Sequence, residues 1–312
     1  KFLDVERSFS GKRWLERPVN DREALALSQR FQLPDIIGRF LSARGISAEF
    51  VDDFLDPKLS SLLPDPTHLL DMQVGVDRII EAISGSEKIA IFGDYDVDGT
   101  TSVALMATYL ETKTEAIATY VPDRFTEGYG VSYAGIDYAA DNDFSLIIAL
   151  DCGVKALKKV TYAKEKGIDF IICDHHRPGD ALPQAVAVLD PKRTDCSYPF
   201  KELCGCGVGF KLIQALGQQF SESIDDLTPY LDLVATAIGA DIVPVVGENR
   251  ILAYYGLEVL NSKPRYTNHD LILQKAINLR HKLSLTNLIS AAAEIKSVST
   301  RGPSISARHT SK

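Results

Sequence analysis

Carboxylates and imidazoles recur in this sequence where apolar runs end. KIAIFG is followed by Asp94-Tyr95-Asp96-Val97-Asp98-Gly99, SLIIAL by Asp151, and DFIIC by Asp174-His175-His176. A further carboxylate, Asp241, lies downstream in AIGADIVP. Anionic side chains gathered in one small volume repel and raise one another's pKa values. A pair of divalent cations resolves that conflict, and a carboxylate-rich set with one or two imidazoles suits Mn²⁺ or Mg²⁺ better than a thiolate site would. Each piece alone has a plainer reading. An aspartate at a strand end often only caps the next helix, a His-His pair packs on a surface, and alternating aspartates form a solvated turn. Their coincidence at the ends of successive apolar runs points to a metal site.

The elements that must position these residues follow from periodicity. From residue 88 onward, apolar strands alternate with amphipathic helices: KIAIFGD, TTSVALMATYL, EAIATYV, SYAGIDYAADN, SLIIALD, KALKKVTYAKEKG, DFIICD, then the strand AVAVLD. Such alternation predicts an α/β fold, a parallel sheet with helices on both faces. Ligands of open parallel sheets bind outside the carboxyl ends of the strands. Neighbouring strands lie about 4.8 Å apart, so the acidic strand ends converge. Residues 1–85 contain short helical patterns (DREALALSQRF, LPDIIGRFLSARG, SAEFVDDFL) and are expected to form a small helical lobe. Residues 86–262 form the sheet domain, mainly helical after 207, and 263–312 a helical connector with a polar, disordered tail.

Composition bounds the possibilities. The chain has 312 residues, 45% hydrophobic and 24% charged, as in globular proteins of one large or two modest domains. No segment approaches the roughly 20 continuous apolar residues of a membrane span. With 34 basic and 42 acidic residues the net charge is −8, which argues against coating nucleic acid by bulk positive charge but leaves room for a local basic groove. The five cysteines lack framework spacing, which favours a reducing cytoplasm. Cys204 and Cys206 have no second pair at zinc spacing. The chain opens on Lys rather than Met and reads as a fragment.

Two known motifs compete for the first acidic turn. Asp94-x-Asp96-x-Asp98-Gly99 matches the start of an EF-hand loop, but the twelfth position is Leu105 rather than Glu and a strand precedes it. Asp96-Val97-Asp98-Gly99-Thr100 also matches the haloacid dehalogenase phosphatase signature, with Asp96 as nucleophile, yet that leaves Asp174-His175-His176 unexplained. The ordered set GDYDVDGTT, LIIALDCG, ICDHH and ADIVP resembles the DHH phosphoesterase superfamily. Within it, the likeness is to the bacterial single-strand-specific 5′→3′ DNA exonucleases. RGI, FLDP, PDRFTEGYGVS and GCGVGFKL add to the likeness, which runs from about residue 14 to 262. After about residue 285 the glycine-rich opening of a second cleft domain is not found.

The resemblance implies a two-metal phosphodiesterase releasing 5′-mononucleotides from single-stranded DNA in repair and recombination. It implies Asp94, Asp96, Asp98, Asp151, His175 and Asp241 as ligands of two cations, Mn²⁺ or Mg²⁺, with Asp151 bridging. His176 would contact the scissile phosphate, and Asp174 would orient an imidazole. The Arg124–Gly130 loop, with Arg124 and Tyr129, and the Gly207–Lys211 turn, with Gly207, Gly209 and Lys211, would face the substrate. Lys158 and Lys159 read as a solvated helix face. The partners implied are single-stranded DNA, a single-strand-binding protein and a helicase; a cytoplasmic monomer is expected. The alternatives are a nucleotide phosphatase, oligoribonuclease or pyrophosphatase of the same superfamily, a haloacid-dehalogenase-like phosphatase, or a non-catalytic replication scaffold.

Overall fold

The computed structural model describes residues 6–15 and 17–262. The expectations for 263–312 lie outside the described residues. The chain divides into two compact units between Lys58 and Leu59. The first holds helices α1 (Asp21–Arg30), α2 (Asp35–Ala43) and α3 (Val51–Leu55), closed over Leu27, Leu41 and Val51. Asn20 caps α1 by accepting from the Glu23 amide.

The second unit begins with α4 (Leu59–Leu62) and α5 (Met72–Ser84). There follow β1 (Lys88–Gly93), α6 (Val97–Leu110), β2 (Ile117–Tyr120), α7 (Tyr133–Asp141), β3 (Phe144–Leu150), α8 (Leu157–Glu165), β4 (Asp169–Cys173) and β5 (Ala187–Leu189). The helices α9 (Gly205–Gln219), α10 (Ile224–Leu227), α11 (Leu231–Asp241) and α12 (Gly247–Ser262) complete it. The expected lobe boundary at 85/86 therefore moves to 58/59. The reason is packing: α5 buries Met72, Val76, Ile79 and Ala82 in the core of the sheet domain.

The five strands are parallel in the order β2-β1-β3-β4-β5. Side chains alternate between two cores. Ile89, Ile91, Leu146, Ile148, Leu150, Ile171 and Cys173 join residues of α5, α6, α9, α11 and α12. Ala90, Phe92, Ile147, Ala149, Phe170 and Ile172 join residues of α7 and α8 on the other face. Burial on both faces is why these strands read as continuous apolar runs. From β1 the chain goes first to one neighbour, β2, and then to the other, β3, so the strand order reverses between β1 and β3. Asp94–Asp98 and Asp151 stand at the carboxyl ends of those two strands, where such folds bind ligands.

One local expectation changes. The periodicity of TTSVALMATYL starts the helix after β1 at Thr100, but α6 starts at Val97. Asp96 is its N-cap, accepting from the Gly99 amide at 3.0 Å, so Asp98 sits in the first turn of the helix. Gly99 permits this close turn, since a Cβ there would lie 2.4 Å from the Asp94 carbonyl oxygen. Among the described residues no helix is long and apolar enough to cross a membrane.

Candidate metal centre

His175 is the hub of the site. Its Nδ1 lies 3.0 Å from the Leu203 carbonyl, which can only accept, so Nδ1 carries the proton. In the neutral ring Nε2 is then a lone pair. It faces Asp151 Oδ1 at 3.2 Å, Asp241 Oδ2 at 3.7 Å and Asp98 Oδ2 at 3.8 Å. Burial holds the pKa of His175 below the usual imidazole value despite the nearby Asp241 charge. A lone pair surrounded by carboxylate oxygens calls for a cation.

Two groups of donor atoms lie within 4.8 Å of one another: Asp151, His175 and His176, and Asp98, His175 and Asp241. His175 belongs to both. Asp151 Oδ1 and Asp94 Oδ2 are buried with no hydrogen-bond partner, and buried polar atoms are ordinarily satisfied. Burial, followed by the neighbouring carboxylates, raises Asp151 well above its ordinary value. Burial also pushes Asp98 up to about 7, although the Cys206 and Gly205 amides favour its charged form. Hard, anionic oxygens with one or two imidazoles suit Mn²⁺ or Mg²⁺, so the residues present fit divalent cations.

The remaining aspartates of the first motif sit beside these groups. Asp94 Oδ1 accepts from the Tyr95 amide at 2.7 Å and the Gly130 amide at 3.3 Å. The charge of Asp96 acts on Asp94, Asp98 and Asp151. Asp174 is buried and fully used: Oδ1 accepts from the His175 and His176 amides and from His176 Nδ1 at 2.8 Å, and Oδ2 from the Val154 amide. Burial opposes its ionisation, but the His176 hydrogen bond and charge outweigh it and hold Asp174 below its ordinary value. The same bond raises the pKa of His176. The His176 side chain is 41% exposed against 7% for His175. Its Nε2 lies 3.4 Å from the Tyr129 hydroxyl.

Tyr129 is set by a preformed loop. Glu127 accepts from Tyr120, Ser132 and the Asp123 amide, and Asp123 Oδ1 accepts from the Phe125 and Thr126 amides. Tyr129 meets Tyr95 and His176 edge-on, and the Arg124 guanidinium lies 5.2 Å over the Tyr95 ring. These two residues are exposed at the rim of the site.

The expectation for Gly207, Gly209 and Lys211 is corrected. All three are buried in α9. A Cβ on Gly207 or Gly209 would meet Leu203 or Leu150 rather than solvent. The Lys211 ammonium pairs with Glu248 at 3.0 Å and donates to the Pro64 carbonyl at 2.7 Å, with side-chain exposures of 0% and 1% for Lys211 and Glu248. The part of this segment that reaches the site is its start, which sequence reasoning passed over. The amides of Gly205 and Cys206 donate to the Asp98 carboxylate at 2.7 and 2.8 Å, at the positive end of α9. Gly205 is needed there because a Cβ would lie 2.5 Å from Asp151 Oδ1. Cys204 uses its sulfur to cap the helix, accepting from the Gly207 amide. Asp190, at the end of β5, was also missed. It is buried with one oxygen unpartnered, and burial pushes it up to about 7.

The carboxyls raised by burial bind protons more tightly folded than unfolded. In EDTA the protein is therefore expected to lose thermal stability as pH rises from about 4 to about 7, through the range of Asp98 and Asp190. The lowered value of Asp174 acts below that window, and loss of the His176 proton works in the same direction. The lowered value of His175 opposes the loss as pH rises toward the ordinary imidazole value, against the raised carboxyls of Asp94, Asp98, Asp151 and Asp190. Mn²⁺ at neutral pH is expected to reverse the loss. A melting temperature that rises across the window in EDTA, or is unmoved by Mn²⁺, would contradict this.

A parallel α/β sheet with a carboxylate–imidazole centre at its switch point defines an α/β protein with a candidate divalent-metal site. Residues 88–238 match the model of the DHH family, N-terminal domain, and this segment belongs to that family. It is 41% identical over 265 residues to the single-stranded-DNA-specific exonuclease RecJ of Bacillus subtilis, covering 84% of this chain and 33% of the relative. It is 33% identical over 267 residues to the RecJ of Escherichia coli, covering 82% of this chain and 46% of that one. The chain thus spans a third to a half of the length of these relatives. A crystal structure of exonuclease RecJ bound to manganese aligns with TM-score 0.58 and 25% identity over 77% of this chain and 67% of that one.

Proposed function

We propose that this chain carries the catalytic half of a divalent-metal-dependent phosphodiesterase that removes 5′-mononucleotides from single-stranded DNA in the 5′→3′ direction. The observation that carries this reading is the His175 lone pair facing Asp151, Asp241 and Asp98. The kinship with single-stranded-DNA-specific exonucleases supports the substrate. Asp98, Asp151, His175 and Asp241, with Asp94 and Asp96 beside them, would hold two cations. Such a pair supplies Lewis-acid activation of water and charge neutralisation at phosphorus.

The chain's own groups do the rest. Leu203 fixes the His175 tautomer, and the α9 amides hold Asp98 in place. Asp174 orients His176 by its Nδ1–H and favours its cationic form, leaving Nε2 to donate to a phosphoryl oxygen as charge develops. Arg124 can grip a phosphate with its fork of donors, and Tyr129 can stack on a base of any identity. Membership of a repair and recombination system, with a single-strand-binding protein and a helicase as partners, follows from the same reading.

The test is hydrolysis of 3′-labelled single-stranded DNA with Mn²⁺ or Mg²⁺. The expected products are 5′-mononucleotides, and EDTA is expected to abolish the reaction; activity untouched by EDTA would sink the metal reading. In the same assay His176→Ala is expected to leave calorimetric Mn²⁺ titration nearly unchanged while kcat falls about 100-fold or more. Loss of metal binding equal to that of a ligand variant would make His176 a ligand, as its place in one donor group allows.

A further inference from the structure

The two edges of the sheet treat their basic residues differently. Around the amino ends of the strands, cations are neutralised: Arg78 pairs with Glu87 and Asp169, Lys88 with Asp143, Lys113 with Glu222 and Lys166 with Asp137. Lys164 is the exception. At the carboxyl ends, each of the three loops after β3, β4 and β5 carries a cation without such a partner: Lys155, Arg177 and Lys192. None forms an ion pair, side-chain hydrogen bond or ring contact among the described residues. Lys155 and Arg177 are exposed, and Lys192 is half-buried with its charge acting on His175 and Asp190.

The acids of these loops form no ion pair with them. Asp151, Asp174 and Asp190 are buried. Asp123 and Glu127, in the loop after β2, are taken up by that loop's own amides and hydroxyls. Asp195 is bound by Arg193, and the Lys201 ammonium by the Cys196 carbonyl. Asp180 and Glu202 are the free acids that remain. A chain of net charge −8 thus leaves, in each of three successive loops beside its metal centre, a cation outside any ion pair among the described residues. Adjacent strands lie about 4.8 Å apart, so the loops form a row along the edge rather than one cluster. A row of separated point charges fits a polyanion with regularly spaced charges better than it fits one phosphate group.

We propose that Lys155, Arg177 and Lys192 form a phosphate track that engages successive backbone phosphates of single-stranded nucleic acid beyond the scissile linkage. The proposal rests on the phosphodiesterase reading above and extends it, because it makes the site a reader of strand length. Phosphate contacts carry no base information, so the track serves any sequence.

The test compares the full chain, a triple variant Lys155→Gln/Arg177→Gln/Lys192→Gln, and a charge-matched triple at the other edge, Lys88→Gln/Lys164→Gln/Lys166→Gln. Binding of 3′-labelled oligothymidylates of two to twelve nucleotides is followed by anisotropy with Ca²⁺, across a KCl series, beside cleavage with Mn²⁺. Melting temperature reports folding of each variant. The track variant is expected to bind the long oligomers about tenfold or more weakly, with a loss that grows with length. Its log–log salt slope should fall by about 2, at about 0.7 per phosphate contact. Equal behaviour of the two triple variants would overturn the track while leaving the phosphodiesterase reading intact. A wild-type chain that neither binds nor cleaves any oligonucleotide would remove both.

Discussion

Asp151→Asn is expected to lose metal binding and hydrolysis together, each by more than about 100-fold, while its metal-free form melts higher than the wild type. Losing a residue that only orients a metal ligand costs about 10–100-fold, and a ligand is expected to exceed that. Asn is the right probe because Asp151 sits at φ 58°, a left-handed conformation that Asn tolerates and Ala does not. The rise in melting temperature follows from the charge balance: Asp151 is buried among Asp98, Asp96, Asp174 and Asp241, and removing its charge relieves that repulsion. The two readouts therefore move in opposite directions. If Asp151 were a packing residue only, stability would fall and activity would follow the folded fraction. Calorimetric Mn²⁺ titration beside melting in EDTA separates the cases.

Lys211→Ala is expected to cost about 3–5 kcal/mol of stability, read as a lowered urea midpoint at unchanged slope. It would strand the Glu248 carboxylate, which is buried with the Tyr198 hydroxyl as its other partner, and leave the Pro64 carbonyl without a donor. Burial already presses the ammonium toward its neutral form, and Glu248 resists that. Lys211→Met with Glu248→Gln, which removes both charges and keeps an acceptor for Tyr198, is expected to recover most of the loss. A Lys211 that served substrate would behave otherwise, with stability kept and KM raised.

The sheet and the ligands were legible because they obey simple rules. Strands buried on both faces must be apolar throughout, so SLIIAL and DFIIC stand out, and the chemistry of a parallel sheet gathers where such runs stop. The same rule applied to AVAVLD points to Asp190, a residue outside the four motifs that carry the family resemblance. The amides of Gly205 and Cys206 left no side-chain signal, so the glycines read as a substrate-facing turn. Lys211 did leave one: a lysine between Phe210 and Leu212 in an otherwise apolar helix implies a buried partner. The helical periodicity of TTSVALMATYL does not show the turn before it, where Asp96 caps α6 with one oxygen and leaves the other free.

The distance along the chain between the residues that meet at His175 also governs when the site comes into being. Asp98 stands in the first turn of α6, Asp151 after β3, His175 after β4, and Asp241 at the very end of α11. No hairpin or single βαβ unit contains more than part of this set. Contacts between remote segments of a parallel sheet form slowly and late, so an assembling chain has no complete cage to offer a cation until α11 has docked. Divalent ions are thus spectators of the search and guardians of its result. They are expected to slow unfolding while leaving the refolding rate nearly unchanged, the behaviour of interactions absent from the transition state. Chelation in such a molecule shortens the lifetime of the folded state without altering the path by which it forms.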